Sequence, residues 1–258
     1  MKPFVDINAD AGESFGRWIL GNDAELLPLV NTVNIACGFH AGDPANMRAS
    51  VLLCKQHSLN AGAHPGYPDL LGFGRRAMQF SDQDVIDYVV YQVGALRGIA
   101  MTEGVTLTHV KPHGALYGHI AKNPDLACRL VEQLLHMGPE LAFLTSPGPG
   151  GRKLREEGFP VIFDAPADLD YNDDGSHRIE PIPHAKDPDA VGRRAVELAH
   201  GTVTSFTGAT INMPAESICV HGDRPNAVEV AKGVRLHLEN AGVEIRPMKN
   251  ERAVNRNS

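Results

Sequence analysis

The 258-residue sequence predicts an α/β fold: about seven parallel strands joined by helical crossovers, either closed into a barrel or left as an open sheet. Two observations carry this. Short apolar or β-branched runs alternate with longer stretches of helical period, the pattern of doubly buried strands and their crossovers. Ionisable side chains flanked by Gly or Pro collect just after these runs and not before them. Ligands bind beyond the carboxyl ends of parallel strands in both architectures. With 43% hydrophobic and 21% charged residues and no internal repeat, one globular domain over 1–258 is expected.

Residues 4–8 are expected as the first strand, running into Asp10 and Glu13, with Asp6 and Asn8 on one side by strand alternation. Residues 32–36 form the second and lead into Cys37-Gly38-Phe39-His40-Ala41-Gly42-Asp43. Pro44 directly after Asp43 pairs an N-cap with a first-turn proline and starts a helix over 44–57. Residues 59–63 lead into His64-Pro65-Gly66-Tyr67-Pro68-Asp69. A helix over 81–103 opens Ser-Asp-Gln-Asp, with acids in its first turn. Residues 106–110 lead into Lys111-Pro112-His113-Gly114-Ala115-Leu116-Tyr117. A helix over 124–137 follows Asn123 and stops at Gly138. Strands over 141–145 and 160–163 follow, with the Gly-rich turn 148–153 between them opening a surface helix. Helices over 189–200 and 226–240 flank the last strand, 218–221, which leads into His221-Gly222-Asp223.

Several functions are excluded by composition. No run of about 18 apolar residues is present, so no spanning helix is expected. The net charge is −7 and no basic stripe is visible, which disfavours nucleic acid and anionic membrane as partners. The opening MKPFVDINADAGE has acids where a leader needs an apolar stretch, and Cys37, Cys54, Cys128 and Cys219 form no framework. A cytoplasmic protein with reduced thiols is expected. Neither a Walker A motif nor a G-x-S-x-G elbow occurs.

Five loops that follow strands begin with ionisable side chains, and their convergence on one mouth predicts a functional site. Asp10, His40 and His64 follow three consecutive strands and make a facial set suited to Zn²⁺ or a similar divalent ion. The same histidines could instead orient substrate or transfer protons. Lys111, beside His113, is placed to stabilise an oxyanion or a transferring phosphoryl group. His221 and Asp223 suit a base and its orienter. Asp6 and Asn8 line the mouth, or Asp6 caps a loop; Asp43 is well explained as a helix cap. His57, His109, His119, His136, His177, His184, His200 and His237 are expected to be structural or solvated.

The segments DINADAGESFG, NIACGFHAGDP, GAHPGYPDLLGFGRR, VKPHGALYG and ICVHGD resemble, in order from Asp6 to Asp223, the signature segments of the LamB/YcsF family. The resemblance implies a closed seven-stranded (β/α) barrel related to glycoside hydrolases and polysaccharide deacetylases; the latter use a metal held by an Asp and two His at comparable places. It also implies a reaction: a family chain, with the B and C subunits of 5-oxoprolinase, opens the lactam of 5-oxoproline to glutamate while hydrolysing ATP. Amide resonance protects a γ-lactam, and phosphorylating its oxygen would make the carbon electrophilic, which explains the coupling. ATP, with Mg²⁺, is thereby implied as cofactor. Asp10, His40, His64, Lys111, His113, Asp168 and His221 are the expected catalytic residues. Asp6, Asn8, Glu13, Asp43, Tyr67, Arg75, Arg76 and Asp223 are the expected substrate contacts.

One segment departs from the family pattern E-x-F-A-D-R-x-Y-x-x-D-G-x-L-x-x-R. Aligned on Tyr171 and Gly175, Asp168 is kept, but the glutamate becomes Asp164, the first arginine Leu169 and the last Glu180. Arg178 is a candidate replacement for one lost cation. Two alternative functions follow: a self-sufficient metal-dependent amidase or deacetylase, and a non-catalytic ligand-binding or scaffold subunit.

Overall fold

A computed structural model describes residues 3–180 and 182–248. Six parallel strands come first: β1 (Phe4–Ala11), β2 (Thr32–Ala36), β3 (Asn60–His64), β4 (His109–Val110), β5 (Ala142–Thr145) and β6 (Val161–Pro166). Two antiparallel hairpins then interrupt the alternation, β7 (Asp170–Tyr171) with β8 (His177–Arg178) and β9 (Thr202–Thr204) with β10 (Thr210–Asn212). β11 (Ser217–His221) pairs in parallel with both β6 and β1, so seven strands close into a ring. The two-residue β12 (Glu244–Ile245) pairs with the start of β1, outside the ring.

Helices cover the barrel: α1 (Asp23–Leu26), α2 (Pro44–His57), α3 (Asp82–Thr102), α4 (Gly114–Lys122), α5 (Pro124–Met137), α6 (Pro149–Glu156), α7 (Pro188–Ala199) and α8 (Ala227–Asn240). Their starts follow from local chemistry. The Asp43 carboxylate accepts from the amides of Ala45 and Asn46, and Pro44 fills a position whose N–H would lack a partner. Ser81 and Asp84 form a reciprocal capping box on α3. Leu126, Leu130 and Leu134 recur at helical spacing on the buried face of α5. Among the described residues, no helix is long and apolar enough to cross a membrane.

The strands are not apolar on both faces, and this corrects the sequence expectation. Val5, Ile7, Ala9 and Ala11 of β1 belong to the apolar core, whereas Asp6, Asn8 and Asp10 between them are buried and bonded to polar side chains of other strands. The main apolar layer lies between strands and helices, and the barrel's interior is largely polar, with a small separate apolar cluster of Ala142, Leu144 and Ile162 from β5 and β6. β1 also runs three residues further than expected, so Asp10 is a strand residue and not part of a loop. α4 was not expected either, because its sequence reads as a continuation of the His113 loop. Gly114 starts it with φ +52, and a Cβ there would stand 2.7 Å from the Gly74 carbonyl oxygen.

Candidate functional site

Side chains two residues apart on β1 mark three levels inside the barrel. At the base, Asp6 accepts from Thr32 Oγ1 at 2.8 Å and from Ser217 Oγ at 2.5 Å. At the middle level, Asn8 Nδ2 donates to Asp164 Oδ1 at 2.7 Å, and its Oδ1 accepts from Asn34 at 2.8 Å. At the mouth, Asp10 Oδ1 accepts from Asn34 Nδ2 at 2.8 Å and from Lys111 Nζ at 3.1 Å. Asp6 is therefore at the opposite end from the mouth and does not line it; there it also accepts from the Met248 amide at 3.3 Å.

Lys111 reaches back into the barrel from the end of β4. Its Nζ lies 3.0 Å from Asn8 Oδ1, 2.9 Å from Cys219 Sγ and 3.4 Å from Asp164 Oδ2. Burial disfavours its charge, but Asp10 and Asp164 outweigh this and raise its pKa well above the ordinary value. Burial likewise opposes ionisation of Asp10, and His64 with Lys111 reverses the balance, holding the carboxyl well below its usual range. The Glu-to-Asp departure at Asp164 thus leaves a carboxylate inside the ring, bonded to Asn8.

Two histidines flank Asp10, each fixed from behind. His64 Nδ1–H donates to the Lys111 carbonyl at 2.7 Å, and its Nε2 lies 3.2 Å from Asp10 Oδ2. His221 Nδ1 meets Asp168 Oδ1 at 2.8 Å, and its Nε2 faces Asp10 Oδ2 at 3.7 Å. Burial works against a charged His221, but Asp168 more than offsets it and the pKa rises. Asp168 is itself held far below the ordinary carboxylate range; burial opposes this, and His221 and Arg224 overcome it.

His40, His113 and Glu13 form a second group beside His64. The His40 and His113 rings stack at 3.8 Å, and His40 Nε2 lies 3.2 Å from Glu13 Oε1. Burial, with the neighbouring histidines, pushes both His40 and His113 well below the usual imidazole pKa. Burial, then Asp223 and Asp10, pushes Glu13 well above its own. Of the expected Asp10–His40–His64 set, Asp10 lies 3.2 Å from His64 and also engages Lys111, while Glu13 and His113 group with His40 and His64.

A cavity of about 50 Å³ is lined by Asp10, His64, Lys111, His113, His221 and Arg224, among others. It shares Arg75, Gly114, Tyr117, His177 and Ile179 with a neighbouring cavity of about 530 Å³, which also carries Lys122, Ser146 and Arg152. Of the eight expected substrate contacts, only Arg75 lines either cavity. Asp6 is at the base, Asp43 caps α2, Tyr67 is buried with its hydroxyl 2.5 Å from His119 Nδ1, and Arg76 pairs with Asp69 on the surface. Asp223 does not orient His221; it pairs with Arg75 at 2.7 Å, and Asp168 takes the orienting position.

Sequence reasoning missed two contributors. His177 lines both cavities, and burial lowers its pKa to about 4. His109, expected to be structural or solvated, is buried inside the barrel against Asn34 at 2.8 Å and lines neither cavity. Arg224 bridges Asp168 at 2.7 Å and Glu180 at 2.9 Å, so it takes the role offered to Arg178, which instead lies over the Phe206 ring. Its signal was its place directly after His221-Gly222-Asp223.

The LamB/YcsF family model matches residues 5–253. The chain is 43% identical over 249 residues to the 5-oxoprolinase A subunit of Pyrococcus horikoshii, covering 95% of this chain and 98% of that one. It is 40% identical to a 5-oxoprolinase A subunit of Pseudomonas aeruginosa over 246 residues, 94% of this chain and 98% of that one. The crystal structure of the lactam utilization protein from Thermus thermophilus superposes with a TM-score of 0.85 at 40% identity, covering 95% of this chain and all of that one. On the matched length and these identities, the chain belongs to the LamB/YcsF family.

Proposed function

We propose that this chain provides the lactam-opening site of an ATP-dependent 5-oxoprolinase, acting in the cytoplasm with partner subunits of the B and C kind. The relatives' names support the substrate. The observation that carries the chemistry is His221 at the mouth, held by Asp168 through Nδ1 and facing Asp10 through Nε2. Transfer of a phosphoryl group to the lactam oxygen makes the ring carbon open to water. Water adds, the C–N bond breaks with its electron pair on nitrogen, and an acyl phosphate remains; a second water releases phosphate and leaves glutamate. In this reading His221, favoured in its charged form, gives the departing nitrogen its proton. Asp10, kept ionised, accepts a proton from water, and Lys111 supplies positive potential beneath it. Arg75, Lys122 and Arg152 around the larger cavity are the cations available to a phosphate, and Mg²⁺ would accompany the nucleotide.

The test is to incubate the chain with its partner subunits, ATP and 5-oxoproline. Glutamate and ADP should appear together, and a verified complex that releases neither would sink the proposal. In that assay Asp168→Asn removes the group that raises His221. The rate should fall, and the pH limb belonging to His221 should move to lower pH. An unmoved limb would take His221 out of the mechanism.

A further inference from the structure

We propose that Glu13, His40, His64 and His113 bind a divalent transition-metal ion of the Zn²⁺ class, through Glu13 Oε1, His40 Nε2, His64 Nε2 and His113 Nδ1. Donor geometry carries this, independently of the lactam reading.

Hydrogen bonding dictates where the imidazole protons sit. His64 Nδ1 is 2.7 Å from the Lys111 carbonyl oxygen, and His113 Nε2 is 2.8 Å from the Phe73 carbonyl oxygen. A carbonyl only accepts, so each of these nitrogens carries hydrogen. In the neutral rings the other nitrogens, His64 Nε2 and His113 Nδ1, are therefore lone pairs. They face each other at 3.0 Å. Two bare lone pairs at that distance repel; either a proton on His64 Nε2, for which Asp10 Oδ2 at 3.2 Å is an acceptor, or a metal cation between the rings removes the conflict, and metal uptake distinguishes the two. Metal-bound histidines characteristically donate their second N–H to a backbone carbonyl, as both do here.

The remaining donors lie close to the same centre; the His40 and His113 rings stack at 3.8 Å with planes 3° apart, so one of them has to turn on binding for both lone pairs to aim at one ion. His40 Nε2 and Glu13 Oε1 are 3.2 Å apart, and Glu13 Oε1 is 3.7 Å from His113 Nδ1. All four donor atoms lie within 4.8 Å of one another. Tetrahedral ligands at zinc bond lengths of about 2.0–2.1 Å stand roughly 3.4 Å apart, so the observed separations bracket a tetrahedral set. All four residues are buried. One carboxylate and three neutral imidazoles are also the ligand types zinc prefers. A second grouping, Asp10, Cys219 and His221, is already supplied with a cation, because Lys111 Nζ lies 3.1 Å from Asp10 and 2.9 Å from Cys219 Sγ.

Binding tests this without turnover. The full chain, stripped with chelator and titrated with Co²⁺, should take up one equivalent and develop the intense visible bands of a tetrahedral site; Zn²⁺ should displace it and raise the melting temperature. Glu13→Gln and His113→Gln, checked for folding by circular dichroism, should each weaken Zn²⁺ by more than the roughly 10- to 100-fold typical of losing an outer partner. His237→Gln should bind as wild type. The proposal is overturned if the wild-type chain takes up no stoichiometric metal. It is equally overturned if both folded variants bind normally, or if Asp10→Asn abolishes binding while Glu13→Gln does not. Should both glutamine variants fail to fold, the Co²⁺ spectrum and Zn²⁺-dependent melting of the wild-type chain decide alone.

Discussion

Asp6 shows what a carboxyl group costs inside a closed ring. Burial pushes its pKa to about 6, against the lowering effect of hydrogen bonds from the Ser217 and Thr32 hydroxyls and the Met248 amide. The folded chain then holds a proton that the unfolded chain, with an ordinary value of 3.8, has already lost. Stability from this group must fall as pH rises from about 4 to 6 and level off above, by up to about 3 kcal/mol. Asp6→Asn keeps an acceptor for Thr32 and offers an amide hydrogen to Ser217, whose hydroxyl can accept. The variant should fold, and its melting temperature should lack the decline that the wild type shows across that window. Parallel melting curves against pH would mean that Asp6 is ionised in the fold.

At the scale of elements, Asp43 separates capping from substrate binding. Besides capping α2, it accepts from the Gly16 amide at 2.8 Å, which ties the β1 exit loop to the helix. Asp43→Ala should cost about 1 kcal/mol in urea unfolding and leave KM for the lactam substrate unchanged, while Asp43→Asn should recover most of the loss. A raised KM at unchanged stability would restore the substrate role. The same cap explains why α2 and α5 were legible to the residue, since Asp43-Pro44 and Asn123-Pro124 carry start signals that need no tertiary context. The loops of the candidate site were legible for a different reason: histidines and acids at strand ends have little local explanation. Levels within the barrel were harder to read. The alternation Asp6-Asn8-Asp10 is plain, but alternation alone does not say whether the polar side meets solvent or a closed interior. His177 and Arg224 were hidden because their positions depend on the β7–β8 hairpin and on ring closure, both long-range events.

For the whole molecule, Lys111 is the tie across the ring. From the end of β4 it contacts β1 through Asn8 and Asp10, β6 through Asp164 and β11 through Cys219. Removing one partner of a buried ion pair leaves charge without compensation, at about 3–5 kcal/mol. Lys111→Met, close in volume, should therefore lose that much in urea unfolding as well as all activity. Full stability with lost activity would confine Lys111 to chemistry. Closure itself joins residues far apart in the chain: Ser217 and Asp6, which share a hydrogen bond, are 211 positions apart. A ribosome delivers the N-terminal strand first, so β1 waits with one edge unpaired until most of the protein has been made. An unpaired strand edge invites intermolecular pairing, and charged side chains discourage it. Asp6, Asn8 and Asp10, which line the finished barrel, would meanwhile keep the waiting strand wetted. On that account the largely polar interior of the barrel would also disfavour aggregation of the nascent chain.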